Sequence, residues 1–113
     1  MSPSASPKAR LDHIIKQIDG VSEAIRGKSQ QDCKRDFILS LAIERSLEII
    51  SEAARSLPKE WTDQHPEIEW QRIVRIGNFL RHEYHLLDEN VIWDVVKNKL
   101  PQLRPVILAM QKL

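Results

Sequence analysis

The stretch 37–58, "FILSLAIERSLEIISEAARSLP", decides the fold class. Leu39, Ala42, Ile43, Ile49, Ile50, Ala53 and Leu57 recur at steps of three and four, which lays one broad apolar face along a helix. No two-residue alternation competes for a strand. Pro58 closes the run, since proline brings no backbone donor and its ring clashes with the preceding turn. Glu44, Glu48 and Glu52 step by four along the other side. Such a stripe is ordinarily a solvated face; the alternative is that it faces a partner or borders a site. The segment is therefore expected to be the central core helix.

Upstream, Leu11, Ile14, Ile15, Ile18, Val21 and Ile25 repeat the same spacing, giving an amphipathic helix that ends near Gly27. Between the two, "SQQDCKRD" (29–36) reads as the opening of the second helix. Downstream, "PKEWTDQHPEIEW" (58–70) holds two prolines and forms the longest connection. A third helix starts at 68–70 and runs through "RIGNFLRHEYHL" (75–86). "LLDEN" (86–90) is a break, with Asp88 the N-cap of a fourth helix, "ENVIWDVVKNKL" (89–100). Pro101 interrupts the pattern, and "QLRPVILAMQKL" (102–113) supplies a short final helix. The expectation is an all-α bundle of four main helices plus a short C-terminal helix. A single domain would cover 11–113, with "MSPSASPKAR" (1–10) as a flexible leader.

Composition narrows the function classes. A chain of 113 residues suits one hydrophobic core. Lys and Arg number 17 against 16 Asp and Glu, so any contact with nucleic acid must come from a local basic patch rather than the overall charge. Cys33 is the one cysteine, which excludes a disulfide framework and a cysteine-based zinc site. The longest apolar run lies within "FILSLAI" (37–43), far too short to span a bilayer. The leader lacks the apolar core of a signal peptide. A cytoplasmic protein with no membrane contact is the default expectation.

The third helix carries the candidate chemistry. Turning each residue by 100° places Ile73, Ile76, Leu80 and Tyr84 on the core face, with Trp70 and Gly77 at its edge. Arg75, Asn78 and His82 fall within about 60° of one another on the opposite side, with His85 adjacent. Imidazole gives and takes protons near neutrality, and a guanidinium holds phosphate. The plainer reading is a solvated polar face. "HEYH" (82–85) is not the zinc-protease pattern H-E-x-x-H, and no acidic or cysteine third ligand lies nearby. No metal and no cofactor are expected.

Three segments in order carry a resemblance: "AIERSLEIISEAARSLP" (42–58), "HPEIEWQRIV" (65–74) and "NFLRHEYHLLDENVIWDVVKNKLPQL" (78–103). Together they resemble the HepT-like branch of the HEPN superfamily, over roughly residues 11–103. The resemblance implies an all-α fold that pairs as a homodimer, with the motif helices of two copies facing each other across a composite cleft. It implies a metal-independent endoribonuclease, with tRNA among its RNA substrates, that serves as the toxin of a toxin–antitoxin pair. Its partner would be a minimal nucleotidyltransferase (MNT) antitoxin that attaches AMP units to the motif tyrosine. The family motif is R-N-x-x-x-H-x-Y. Asn78 matches its polar residue, His82 its catalytic histidine and Tyr84 its tyrosine, with Arg81 and His85 as candidate RNA contacts. The rival from another class is a non-catalytic helical partner of a nucleotidyltransferase.

One motif position departs. The arginine belongs immediately before Asn78, and that residue is Gly77. Either Arg75 stands in for it, or the chain is a homologue with lost or weakened activity, or the arginine of a toxic enzyme was replaced to allow production. A glycine in mid-helix costs about 1 kcal/mol relative to alanine. With no purpose evident for it in the sequence, the lost-side-chain readings are favoured over Arg75.

Overall fold

Helix caps written into the sequence set the boundaries. The structure is a computed structural model that describes residues 6–113; the first half of the expected leader, residues 1–5, lies outside the described residues. Helix α1 (Pro7–Ala24) starts where the Ser6 hydroxyl accepts from the Ala9 amide at 3.1 Å, with Pro7 in the first turn, where no intrahelical donor is needed. Pro7–Arg10 of the expected leader are thus helical. Gly27 turns the chain with φ at +71°, a left-handed conformation suited to glycine.

The segment 29–36 does not open the core helix. It forms its own short helix, α2 (Gln30–Arg35), held by a reciprocal cap. The Asp32 amide donates to Ser29 Oγ at 3.1 Å, and the Ser29 amide donates to Asp32 Oδ2 at 2.9 Å. Asp36 is extended, which breaks the run, and its carboxylate then caps α3 (Phe37–Arg55) by accepting from Leu39 N at 2.9 Å. Ile43, Leu47, Ile50, Ala53 and Ala54 are buried on α3. The apolar face is narrower than its spacing indicated: Ala42 is exposed, and Leu39 and Ile49 are half-buried. Helix α3 packs chiefly against α1 and one later helix, so only the sides they cover are buried.

The connection after Pro58 contains one turn of helix, α4 (Lys59–Thr62). Trp70 then anchors the start of α5 (Trp70–His82) by donating its indole N–H to the His65 carbonyl at 3.0 Å. Asp88 caps α6 (Glu89–Asp94) as expected, accepting from Asn90 N at 2.7 Å. Pro101 does not break the chain into two helices. A wide π-type turn over Val95–Lys99 runs straight into α7 (Leu100–Met110), so the fourth and final helices form one continuous run. The Leu100 amide reaches back five residues to the Val95 carbonyl. This wide turn opens the ladder where the Pro101 ring would otherwise meet a carbonyl four residues earlier.

All regular structure among the described residues is helical, so the all-α expectation holds. Leu11 and Ile14 of α1 and Leu103 and Ile107 of α7 have no exposed surface, and Ile50 of α3 has almost none. Arg104 on α7 reaches Asp19 on α1 with bonds of 2.8 and 3.2 Å. No described helix is long and apolar enough to cross a membrane.

Candidate active site

The site begins with a close approach. Helices α3 and α5 lie antiparallel, the end of α3 (Ala54, Arg55) beside the start of α5 (Trp70, Val74), and Ser51 of α3 meets Gly77 of α5. Ser51 is 2% exposed and donates its hydroxyl to the Val74 carbonyl at 2.9 Å. A Cβ on residue 77 would stand 2.1 Å from Ser51 Oγ and 2.5 Å from Ser51 Cβ. Serine Cβ is fixed to its backbone and cannot swing aside, so any side chain at 77 would force the helices apart. Gly77 therefore has a structural purpose that its own helix does not reveal. The signal lay on the other helix, where Ser51 is a polar residue flanked by Ile50, Ala53 and Ala54.

Asn78, the next residue, faces outward. Its Oδ1 accepts from Arg81 Nη2 at 2.7 Å. Arg81 Nη1 in turn lies 3.4 Å from Glu52 Oε2, and Glu52 is also held by Arg55 Nη2 at 2.7 Å. The hydrogen bond from Arg55 is the main reason the Glu52 carboxyl sits below its ordinary value; its partial burial opposes that, and Arg81 adds to the lowering. The acidic stripe thus borders the site at Glu52. Farther along, partial burial and the neighbouring Glu48 and Glu89 charges push the Glu44 carboxyl up.

Arg75 and Arg81 belong to different hollows. Arg75 is exposed and lines a groove with Asn78, Arg55 and Lys59. Arg81 lines another with Arg10, His13, Arg45, Glu48 and Glu52. Arg10, His13 and Arg45 were not anticipated from the sequence, because they come from α1 and α3 and meet Arg81 only through the fold. The guanidinium that reaches Asn78 is that of Arg81.

His82 is the last residue of α5 and is exposed. At Glu83 the backbone leaves the helix, with φ at −137° and ψ at 38°, and Tyr84–Leu86 form a 3₁₀ turn. Tyr84 is 69% exposed, which corrects its expected place on the core face. The 100° rotation stops applying once the helix ends. His85 stands edge-on to the Tyr84 ring at 5.8 Å, with Nε2 3.8 Å from Glu83. Phe37, Ile38 and Leu41, also exposed, occupy the start of α3. The antiparallel arrangement puts them at the same end of the bundle as Tyr84 and Leu86. Among the described residues, no three His, Cys, Asp or Glu side chains gather as a metal site.

A family profile, that of the ribonuclease HepT-like proteins, matches residues 14–110. A protein of Caldanaerobacter subterraneus named as a candidate RNase is 35% identical over 98 residues, covering 87% of this chain and 88% of its own. A protein of Thermococcus cleftensis, named "Probable ribonuclease HepT", is 34% identical over 107 residues, covering 95% and 97% respectively. No solved structure matches the chain.

Proposed function

Because the chain belongs to the ribonuclease HepT-like family, we propose that it is a metal-independent endoribonuclease with Asn78 and His82 at its centre. The observation that carries this reading is the exposed end of α5, where Asn78, Arg81 and His82 stand open to solvent beside an accessible Tyr84. In such cleavage the ribose 2′-oxygen attacks phosphorus and the 5′-oxygen leaves, giving a 2′,3′-cyclic phosphate and a free 5′-hydroxyl. One proton must leave the 2′-hydroxyl and one must reach the 5′-oxygen. His82 transfers one of them. Asn78 orients the phosphate, and a guanidinium offsets the charge that gathers on its oxygens.

Two copies pairing across this end of the bundle would bring a second His82 for the other proton transfer. The exposed Phe37, Ile38, Leu41 and Leu86 beside the site support such pairing. Within this reading the protein is the toxin of a pair, with a minimal nucleotidyltransferase as antitoxin. The Tyr84 oxygen attacks the α-phosphate of ATP and displaces pyrophosphate, leaving AMP on the ring. The added negative charge beside the site repels RNA. The exposure of Tyr84 supports this role.

The test is incubation of the full chain with tRNA in EDTA, with His82→Ala in parallel. Cleavage by the parent and a loss of about 10²-fold or more in the variant is expected. Cleavage that EDTA abolishes would overturn the metal-free mechanism, and no cleavage by the parent would favour a non-catalytic partner. With the antitoxin, ATP and magnesium, intact mass should rise by one or more AMP units in the parent and stay unchanged in Tyr84→Phe.

A further inference from the structure

We infer that Arg81 takes over the role of the motif arginine absent at position 77, so that the guanidinium of this site precedes the histidine instead of the asparagine. The inference rests on the nuclease reading. It starts from the closed position: with Ser51 Oγ 2.1 Å from where a Cβ would sit, residue 77 cannot carry an arginine while α3 and α5 keep their spacing. A positive group for the phosphate must come from elsewhere on the exposed face, and Arg75 and Arg81 are the two on α5 nearest Asn78 in sequence.

The geometry separates them. Arg81 is bonded to Asn78 at 2.7 Å, is followed directly by His82, and is braced from α3 by Glu52. Arg75 lies on the groove that runs back toward α4, nearly two helical turns from His82. The bond to Arg81 also decides which way the Asn78 amide faces. A guanidinium only donates, so Oδ1 must turn toward it, leaving the Nδ2 hydrogens free for a phosphate oxygen. Arg81 has five N–H donors, and the bonds to Asn78 and Glu52 use two of them. The remaining donors leave it able to hold the same phosphate. Its side chain is 31% exposed, open enough for contact yet held from two sides. Arg81 is thus a positioning residue for Asn78 and a phosphate contact in its own right.

The test compares Arg81→Ala, Arg81→Lys and Arg75→Ala in the full chain, with thermal melting to show that each variant is folded. One arm measures tRNA cleavage in EDTA. The other measures binding of a 2′-O-methyl RNA, which lacks the internal nucleophile, by fluorescence anisotropy. Arg81→Ala should lose about 100-fold in kcat and weaken binding, while Arg75→Ala stays close to the parent in both. Arg81→Lys should recover binding but remain about 10-fold low in kcat, because an ammonium cannot bond Asn78 and phosphate through one rigid fork. A merely structural role for Arg81 would not split the two measurements in this way. Arg75→Ala losing as much as Arg81→Ala, or an Arg81→Ala variant as active as the parent, overturns the assignment. If the parent cleaves nothing, the nuclease reading falls, and the binding arm alone judges Arg81 against Arg75.

Discussion

Gly77 and Asn78 are neighbours on one helix, yet they answer to different constraints. Gly77 faces the seam between α3 and α5, where Ser51 leaves no room for a Cβ and the backbone approach sets the residue. Asn78 faces solvent, held by Arg81 through one hydrogen bond. At the seam, identity is a matter of volume, and a change should be felt as stability. On the open face, identity is a matter of chemistry, and a change should be felt as rate.

The largest effect should come from forcing the two together. Gly77→Arg, which would recreate the family motif, is expected to destabilise the fold by more than about 3 kcal/mol through overpacking and a buried charge. It should cleave no faster than the parent. Urea denaturation and the cleavage assay check both, and a stable, hyperactive Gly77→Arg would break the comparison. Asn78→Ala should do the reverse, with stability within about 0.5 kcal/mol of the parent and cleavage lost.

A smaller change sharpens the seam. Gly77→Ala gains about 1 kcal/mol in helix propensity yet should still cost a net 1 kcal/mol or so, since overpacking a tight contact costs about 1–3. Ser51→Gly removes both atoms that a new Cβ would strike. Combined with Gly77→Ala, it should be more stable than the sum of the two single changes implies. Additive energies in this double-mutant cycle would mean that the contact does not set the glycine.

The smallest effect concerns the brace on the open face. Glu52 titrates below its ordinary value in the fold, chiefly through Arg55. Its contribution is therefore present above the unfolded carboxylate value and is lost as pH falls through the lower folded one. Glu52→Gln should cost less than about 1 kcal/mol at neutral pH, because the carboxylate is 42% exposed and screened. That difference should shrink to nothing under acid, as measured by thermal melting from neutral pH down through the carboxylate range. A gap that widens as pH falls would contradict the sign.

Much of this architecture was legible in the chain. Apolar spacing located α1, α3 and α5, and Asp88 marked the start of α6, because caps and periodicity act within a few residues. Where the reading failed, something nonlocal or a change of backbone intervened. Pro101 read as a break because a wide turn ahead of it has no sequence period. The 100° rotation puts Tyr84 on the core face only if the helix continues past Glu83, where the backbone in fact departs.

The sequence by itself determined the helical class and the family, and it supplied Asn78, His82 and Tyr84 as candidate site residues. These come from local spacing and from residue types at fixed offsets. Only the tertiary structure decided what Gly77 means and which arginine attends Asn78. Ser51 lies 26 positions from Gly77, and Glu52 lies 29 from Arg81. Their contacts arise only when α3 and α5 settle at one spacing, and the exclusion of a side chain at 77 is a property of that spacing.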